Sequence, residues 1–396
     1  MKSDREGRSR DPHRAEAIRR SGLVAVGDPL QLELLTDIAV TVTGAPVALI
    51  SVVDDSHAYV VASTGLDSEW AIERTSTLSH STCASVIASG EPLLLDSMAR
   101  DPRFRELTDQ RPVESYCGVP IRGSQGQVMG SLCVVDSSDR EWGPETIRLL
   151  KRIAEIVTNA VDTSISFTNE LLDLQRRSLP PSLPPAPNGT FEARYRPVPF
   201  GDAIGGDFYD GVACVDGSIA IVIGDVAGRG LGSTQAAAQL RAAARAILAQ
   251  RPMGPTDVLA QLGVLTRSLS GCTNAAALVA TFSADGETVR WARAGAPPPI
   301  VVGVDTVVAE GPVAPPLGVG TIDESFEVTT ELADVHRLIL FTDGLLNAQQ
   351  ESIDAGLRRI AERAAENATV DRLIDDCVPH QGQSDDVAVV TWQRGW

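Results

Sequence analysis

The sequence predicts a two-domain protein of mixed α/β and α+β class, the two domains joined by a long helix. Three observations predict it. At about 100–200 residues per domain, 396 residues make two or three domains. The proline-rich stretch PPSLPPAPNG (180–189) cannot continue a helix and divides the chain. On both sides of it, apolar runs of strand length alternate with runs of helical period.

Residues 1–27 begin with seven basic residues from Lys2 to Arg20, carry few apolar ones, and read as a flexible tail. Residues 28–161 form the first domain. Leu30 to Val42 carry a helical stripe. PVALISVVD (46–54) and HAYVVAST (57–64) read as two strands joined by a tight turn at Asp55 and Ser56. Ser79 to Ala88 reads as a helix and EPLLLD (91–96) as a short strand. Tyr116–Ile121 and Val128–Val135 form a hairpin across RGSQGQ (122–127). A long helix starts after Gly143, with Pro144 in its first turn.

Along that helix Leu150, Ile153, Val157, Ala160, Ser164, Phe167, Leu171 and Leu174 are spaced alternately three and four apart. This heptad stripe predicts a coiled-coil connector and a homodimer through residues 150–174. The alternative is one amphipathic helix packed on its own domain. Residues 162–189 are the helical and proline-rich linker.

Residues 190–396 form a strand-rich domain. Strands are expected at 191–199, 208–216, 218–226, 276–283, 287–293, 299–302, 337–341 and 386–392. Helices are expected at 230–249, 256–269 and 353–366.

Composition narrows the function. A net charge of −18 excludes a broad nucleic-acid surface and an anionic membrane surface, since both need clustered Lys and Arg. No window of about 18 residues is continuously apolar and uncharged, so no membrane span is expected, and the N-terminal residues lack the apolar core of a signal peptide. Six scattered cysteines without a CxxC pair fit the cytoplasm, with Cys133 and Cys214 as small core residues.

The chemistry is carried by four acidic segments, each following or opening an apolar strand: GDAIGGDFYD (201–210), IVIGDVAGRG (221–230), LILFTDGLL (338–346) and QSDDVAVV (383–390). Any one of them is a common turn sequence. Together they place carboxylates beside glycines at strand ends, where the backbone can approach a ligand and several oxygens can serve a hard divalent cation.

With LQRRSLPPSLP before the domain and AGAPPP (294–299) and PPLG (315–318) within it, these segments resemble the bacterial sporulation stage-two and stress-response phosphatases of the PPM class, which are similar to protein phosphatase 2C. The resemblance covers about residues 170–396. It implies an α-β-β-α sandwich with two Mn²⁺ or Mg²⁺ ions at one edge, which activate water for in-line attack on phosphorus and leave no need for a protein nucleophile. It implies Asp207, Asp225 (bridging), the Val226 carbonyl, Asp343 and Asp385 as metal ligands, with Asp386 the competing choice for the last. Of Asp385 and Asp386, adjacent on an extended segment, only one can face the metals. The chain has Arg229 where many relatives have histidine, and Arg229 is a candidate phosphate contact. It has Ala296 where many have the histidine of Asn-Ala-Gly-His, and Asn347 where many have an acid. The implied activity is protein serine/threonine phosphatase, acting on a phosphoprotein such as a STAS-domain anti-sigma-factor antagonist. The alternative is a catalytically inactive sensor or scaffold.

The first domain resembles a GAF sensor domain over residues 28–161, through SVVDDSHAYVVASTGL, SHSTCASVIASGEPLLLDSMARDPRF, YCGVPI and GSLCVVD. That implies regulation by a small ligand whose identity the residues do not reveal. His80 is expected at a pocket rim, and Cys83 as a packing residue.

Overall fold

In the computed structural model the described residues are Ile18, 31–53, 57–66, 75–77, 82–105, 113–123, 126–198, 205–346, 351–366, 369–378, 383 and 385–395. The tail apart from Ile18, the Asp55–Ser56 turn, His80, the centre of the RGSQGQ turn and Asn347 lie outside them. The chain divides into two compact units that meet at Glu170 and Leu171.

The first unit is a six-stranded antiparallel sheet in the order β3-β2-β1-β6-β5-β4. Its strands are β1 (Val47–Val53), β2 (His57–Thr64), β3 (Thr75–Thr77), β4 (Leu93–Leu95), β5 (Ser115–Arg122) and β6 (Val128–Asp136). Helix α1 (Leu32–Thr43) ends at Gly44, whose φ of 65° is the left-handed conformation that closes a helix without side-chain strain. α2 (Thr82–Ser89) and the part of α3 (Pro144–Ser178) up to Glu170 complete the unit's helices.

Side chains alternate across a strand, so β6 serves two cores. Leu132 and Val134 join α1 and α3, while Cys133 and Val135 join α2 and Tyr116. Both faces are covered, which accounts for the unbroken burial of Met129 to Val135 on β6. Cys83 is buried beside Cys133 and Tyr116, 3.7 Å from each.

The structure corrects the heptad expectation for its first half. Leu150, Ile153 and Val157 are buried with Ala154 and Val161 in the first unit's own core, so they cannot form a seam with another chain. Further on, Phe167 is 57% exposed and Leu174 53%.

The second unit has two antiparallel five-stranded sheets, ordered β14-β11-β10-β9-β8 and β13-β12-β15-β16-β7. The strands are β7 (Gly189–Arg196), β8 (Phe208–Ala213), β9 (Ile219–Val226), β10 (Ala275–Phe282), β11 (Thr288–Ala294), β12 (Ile300–Val302), β13 (Thr306–Val308), β14 (Val328–Glu331), β15 (Arg337–Phe341) and β16 (Val387–Arg394). Its helices are α4 (Leu231–Gln250), α5 (Pro255–Thr266), α6 (Ile353–Ala365) and α7 (Val370–Cys377).

Alternation again builds the layers. On β9, Ala220, Val222 and Val226 pack under α4 and α5, while Ile219, Ile221 and Ile223 face the other sheet. On β16, Val387 and Val389 pack under α6 and α7, while Ala388, Val390 and Trp392 face back between the sheets. The result is an α-β-β-α sandwich. The buried Trp291 and Trp392 satisfy their indole N–H groups, Trp291 on Thr330 Oγ1 (3.1 Å) and Trp392 on the Pro187 carbonyl (3.2 Å). Among the described residues no helix is long and apolar enough to cross a membrane.

Helix α7 was not expected from the sequence. Its Thr369 cap and the buried set Val370, Leu373, Ile374 and Cys377 give it a helical signature in eight residues. The short edge strands β3, β13 and β14 were also not expected.

One buried charge ties helix to sheet. Asp210 on β8 has no exposed surface and accepts from Arg241 (3.1 Å) and Arg245 (2.8 Å) on α4. Removing one partner of such a group leaves the other charges uncompensated. Asp210→Ala is expected to lower stability by about 3 kcal/mol in urea unfolding; a loss under about 1 kcal/mol would show the cluster to be a solvated surface pair.

Candidate metal centre

The second unit gathers the four acidic segments at one end of its two sheets. β8 and β9 pair with Phe208 opposite Gly224, and the same register continued by one residue sets Asp207 opposite Asp225. Both share the parity of Tyr209 and Ile223, the side chains that face the other sheet. Like charges directly across a ladder repel, so this rung is stable only if something offsets it.

Part of the offset comes from the second sheet. Thr342, at the end of β15, donates its hydroxyl to Asp207 Oδ2 (2.6 Å) and accepts from the Ala388 N–H (2.9 Å). One hydroxyl thus links the first motif to the last.

Three motif glycines let the segments touch. A Cβ on Gly206 would lie 2.3 Å from the Val226 carbonyl oxygen, one on Gly205 2.1 Å from Asp386 Oδ2, and one on Gly344 1.8 Å from the Asp386 carbonyl oxygen. No side chain fits at these approaches. Val226 is fully buried, and its N–H donates to the Gly206 carbonyl (3.2 Å). Gly228 and Gly230 take φ of 106° and 92° on either side of Arg229, so the GRG turn presents that arginine at the rim. Its guanidinium lies 3.9 Å from Asp385 Oδ1.

The two adjacent aspartates have different partners. Asp386 is 1% exposed. Its Oδ1 accepts from the Val198 N–H (2.7 Å), and its Oδ2 from Gln175 (2.8 Å) and, in a short contact, from Tyr195. The Asp385 side chain is 43% exposed; its Oδ1 accepts from the Asp386 N–H (3.0 Å) and faces Arg229.

The carboxylates sense one another. Burial, then the Asp225 and Asp386 charges, holds Asp207 well above the usual carboxylate range against the Thr342 bond. Burial, then Asp343 and Asp385, pushes Asp225 up to about 7. Asp343 opens to solvent on one side, yet the protein packed around it and the Asp385 charge raise its carboxyl. Burial raises Asp386, opposed by its three donors.

Among the described residues, no group of three or more His, Cys, Asp or Glu side chains is arranged so that it could hold a metal ion as it stands. The donor chemistry nevertheless fits a hard cation. The donors are all oxygens, and Asp207 and Asp225 are crowded by other carboxylates, while Asp385 faces Arg229 at 3.9 Å.

Sequence reasoning missed Thr342, Tyr195 and Gln175. All three stand inside segments already singled out or predicted as strand, but their hydrogen bonds span residues far apart in sequence, which no local pattern reveals. The Ala296 position is buried between the sheets and offers no polar group, while Arg293 donates to the Ala296 and Gly311 carbonyls.

Residues 215–395 match the stage II sporulation protein E (SpoIIE) family, and residues 32–162 match the GAF domain family. Asp207 precedes the first of these spans. A cyclic di-GMP phosphodiesterase of Pseudomonas aeruginosa is 28% identical over 176 residues, covering 42% of this chain and 29% of that protein. Among solved structures, the RsbU and RsbW domains of a Mycobacterium tuberculosis protein are 26% identical, with TM-score 0.49, covering 55% of this chain and 63% of theirs. The SiaA PP2C domain of Pseudomonas aeruginosa is 21% identical, with TM-score 0.48, covering 58% and 97%. The chain therefore spans less than two thirds of the length of the phosphodiesterase and of the mycobacterial chain. It carries a GAF-type domain followed by a SpoIIE-type domain.

The raised carboxylates set a pH dependence. An aspartate whose folded pKa exceeds its unfolded 3.8 costs the native state stability once ionised. For Asp225 that cost is absent below about pH 4 and complete above about pH 7. With chelator present, Tm is expected to fall by several degrees across that window, and Asp225→Asn to flatten the fall. A fall of equal size in the variant would mean that the crowding lies elsewhere.

Proposed function

We propose that the chain is a divalent-metal-dependent protein serine/threonine phosphatase regulated by its GAF domain. The observation that carries this reading is the crowding of Asp207, Asp225, Asp343 and Asp385 at one end of a SpoIIE-type domain, with their negative charge incompletely offset. The proposed ligands are these four carboxylates and the Val226 carbonyl, serving two Mn²⁺ or Mg²⁺ ions. When bound, such ions would neutralise phosphoryl oxygens and lower the pKa of a water, so that it gives up a proton and can attack phosphorus as hydroxide.

The chain's own residues do the rest. Thr342 fixes one oxygen of Asp207. The three donors to Asp386, one backbone N–H and two side chains, occupy both of its oxygens, which supports Asp385 as the ligand of the pair. Arg229, at the rim beside Asp385, is the proposed contact for the substrate phosphate.

The proposed substrate is a phosphorylated STAS-domain anti-sigma-factor antagonist in the cytoplasm, a setting supported by six free cysteines of which five are buried. The proposed dimer pairs through the later part of α3, where Phe167 and Leu174 are exposed. Sedimentation of the full chain and of Phe167→Asp tests it: loss of the dimer in the variant is expected, and a monomeric parent overturns it.

A non-catalytic scaffold is the second reading. It is favoured by the lack, among the described residues, of a ready-made ligating group. Hydrolysis of p-nitrophenyl phosphate and of a phosphoserine peptide with added MnCl₂ separates the two. Metal-dependent turnover that Asp225→Asn nearly abolishes is expected. No turnover by the wild type, or turnover untouched by Asp225→Asn, contradicts the phosphatase reading.

A further inference from the structure

One of the three donors to Asp386 is a buried amide on α3, Gln175. Gln175 is 1% exposed, while Asp173, Leu174, Arg176 and Arg177 around it are exposed. Burying an amide is costly unless its groups are bonded. Its Nε2 donates to Asp386 Oδ2 (2.8 Å) and to the Gly205 carbonyl (3.2 Å), and also touches the Tyr195 hydroxyl. Tyr195 donates to the same Asp386 oxygen. The Gln175 Oε1 atom has no partner although it is buried. A side chain selected only to fill space would be apolar and avoid that orphan, so the amide is kept for its donors.

The residues that accept from Gln175 lie one or two positions from proposed ligands. Gly205 is two residues before Asp207, and the Asp386 N–H orients Asp385 Oδ1 (3.0 Å). Thr234 at the start of α4 shares the Gly205 carbonyl (3.0 Å), so that carbonyl is gripped by two helices.

We propose that Gln175, acting with Tyr195, is a positioning residue for the metal centre: it clamps Gly205 to Asp386 and thereby sets the spacing of Asp207 and Asp385. The proposal rests on the metal-dependent reading above. Leu at position 175 keeps the bulk and loses both donors. Phe at 195 keeps the ring and loses one donor to Asp386.

The test is calorimetric titration of the full chain with MnCl₂ alone, alongside melting in chelator. Gln175→Leu is expected to bind Mn²⁺ about 10–100-fold more weakly, the range found for residues that orient metal ligands. Tyr195→Phe is expected to shift affinity in the same direction by less. Excess Mn²⁺ should restore much of the turnover of both variants, while the melting temperature in chelator changes little. Mn²⁺ affinity within about threefold of wild type in the two variants overturns the proposal, whatever happens to the melt, and leaves Gln175 a packing residue. If Gln175→Leu fails to fold, Tyr195→Phe alone decides by the same criterion. A wild-type chain that binds no Mn²⁺ overturns the metal reading itself, a result distinct from variants that match a binding wild type.

Discussion

Mutual repulsion among carboxylates at one end of the sandwich is the constraint on which the rest of the second unit depends. Asp207 and Asp225 meet across one ladder rung, and Asp343 and Asp385 bring further negative charge close to Asp225. In a medium of reduced dielectric such charges do not coexist without compensation. The local architecture supplies part of it through neutral donors: the Thr342 hydroxyl, the Val198 N–H, Tyr195 and Gln175. What these donors leave over is the physical case for a cation.

The sandwich makes that crowding possible. Strand alternation assigns every second residue to the layer between the sheets, and the same parity that buries Ile221 and Ile223 aims Asp225 at the other sheet. Glycines then replace side chains where segments cross, at Gly205, Gly206 and Gly344. The motifs hold glycine beside aspartate for one reason: the carboxylates can approach only if the backbones do.

Much of this was legible in the sequence, and the gaps have physical causes. β2 and β15 fall on the expected residues because a strand buried on at least one face has a clear apolar signature with punctuated ends. The edge strands β3, β13 and β14 have three or four residues, too few for a period to show. The spacing along α3 was ambiguous in principle. A three-four repeat describes a helix lying on a sheet as well as one in a coiled coil, and Leu150 to Val157 belong to the first kind. The aspartates could be named from their motifs, but Gln175 could not be tied to Asp386, 211 positions away, until the chain was folded.

The central claim is that this cluster exists to be neutralised by divalent metal. Anomalous scattering from a crystal of the full chain grown with MnCl₂ tests it most directly. The account predicts manganese peaks with Asp225 as a shared ligand, Asp207, Asp343 and Asp385 drawn in around them, and Asp386 still held by Val198, Tyr195 and Gln175. A manganese-soaked crystal whose Asp225 and Asp207 carry no metal, or whose metal is ligated by Asp386 in place of Asp385, would contradict it.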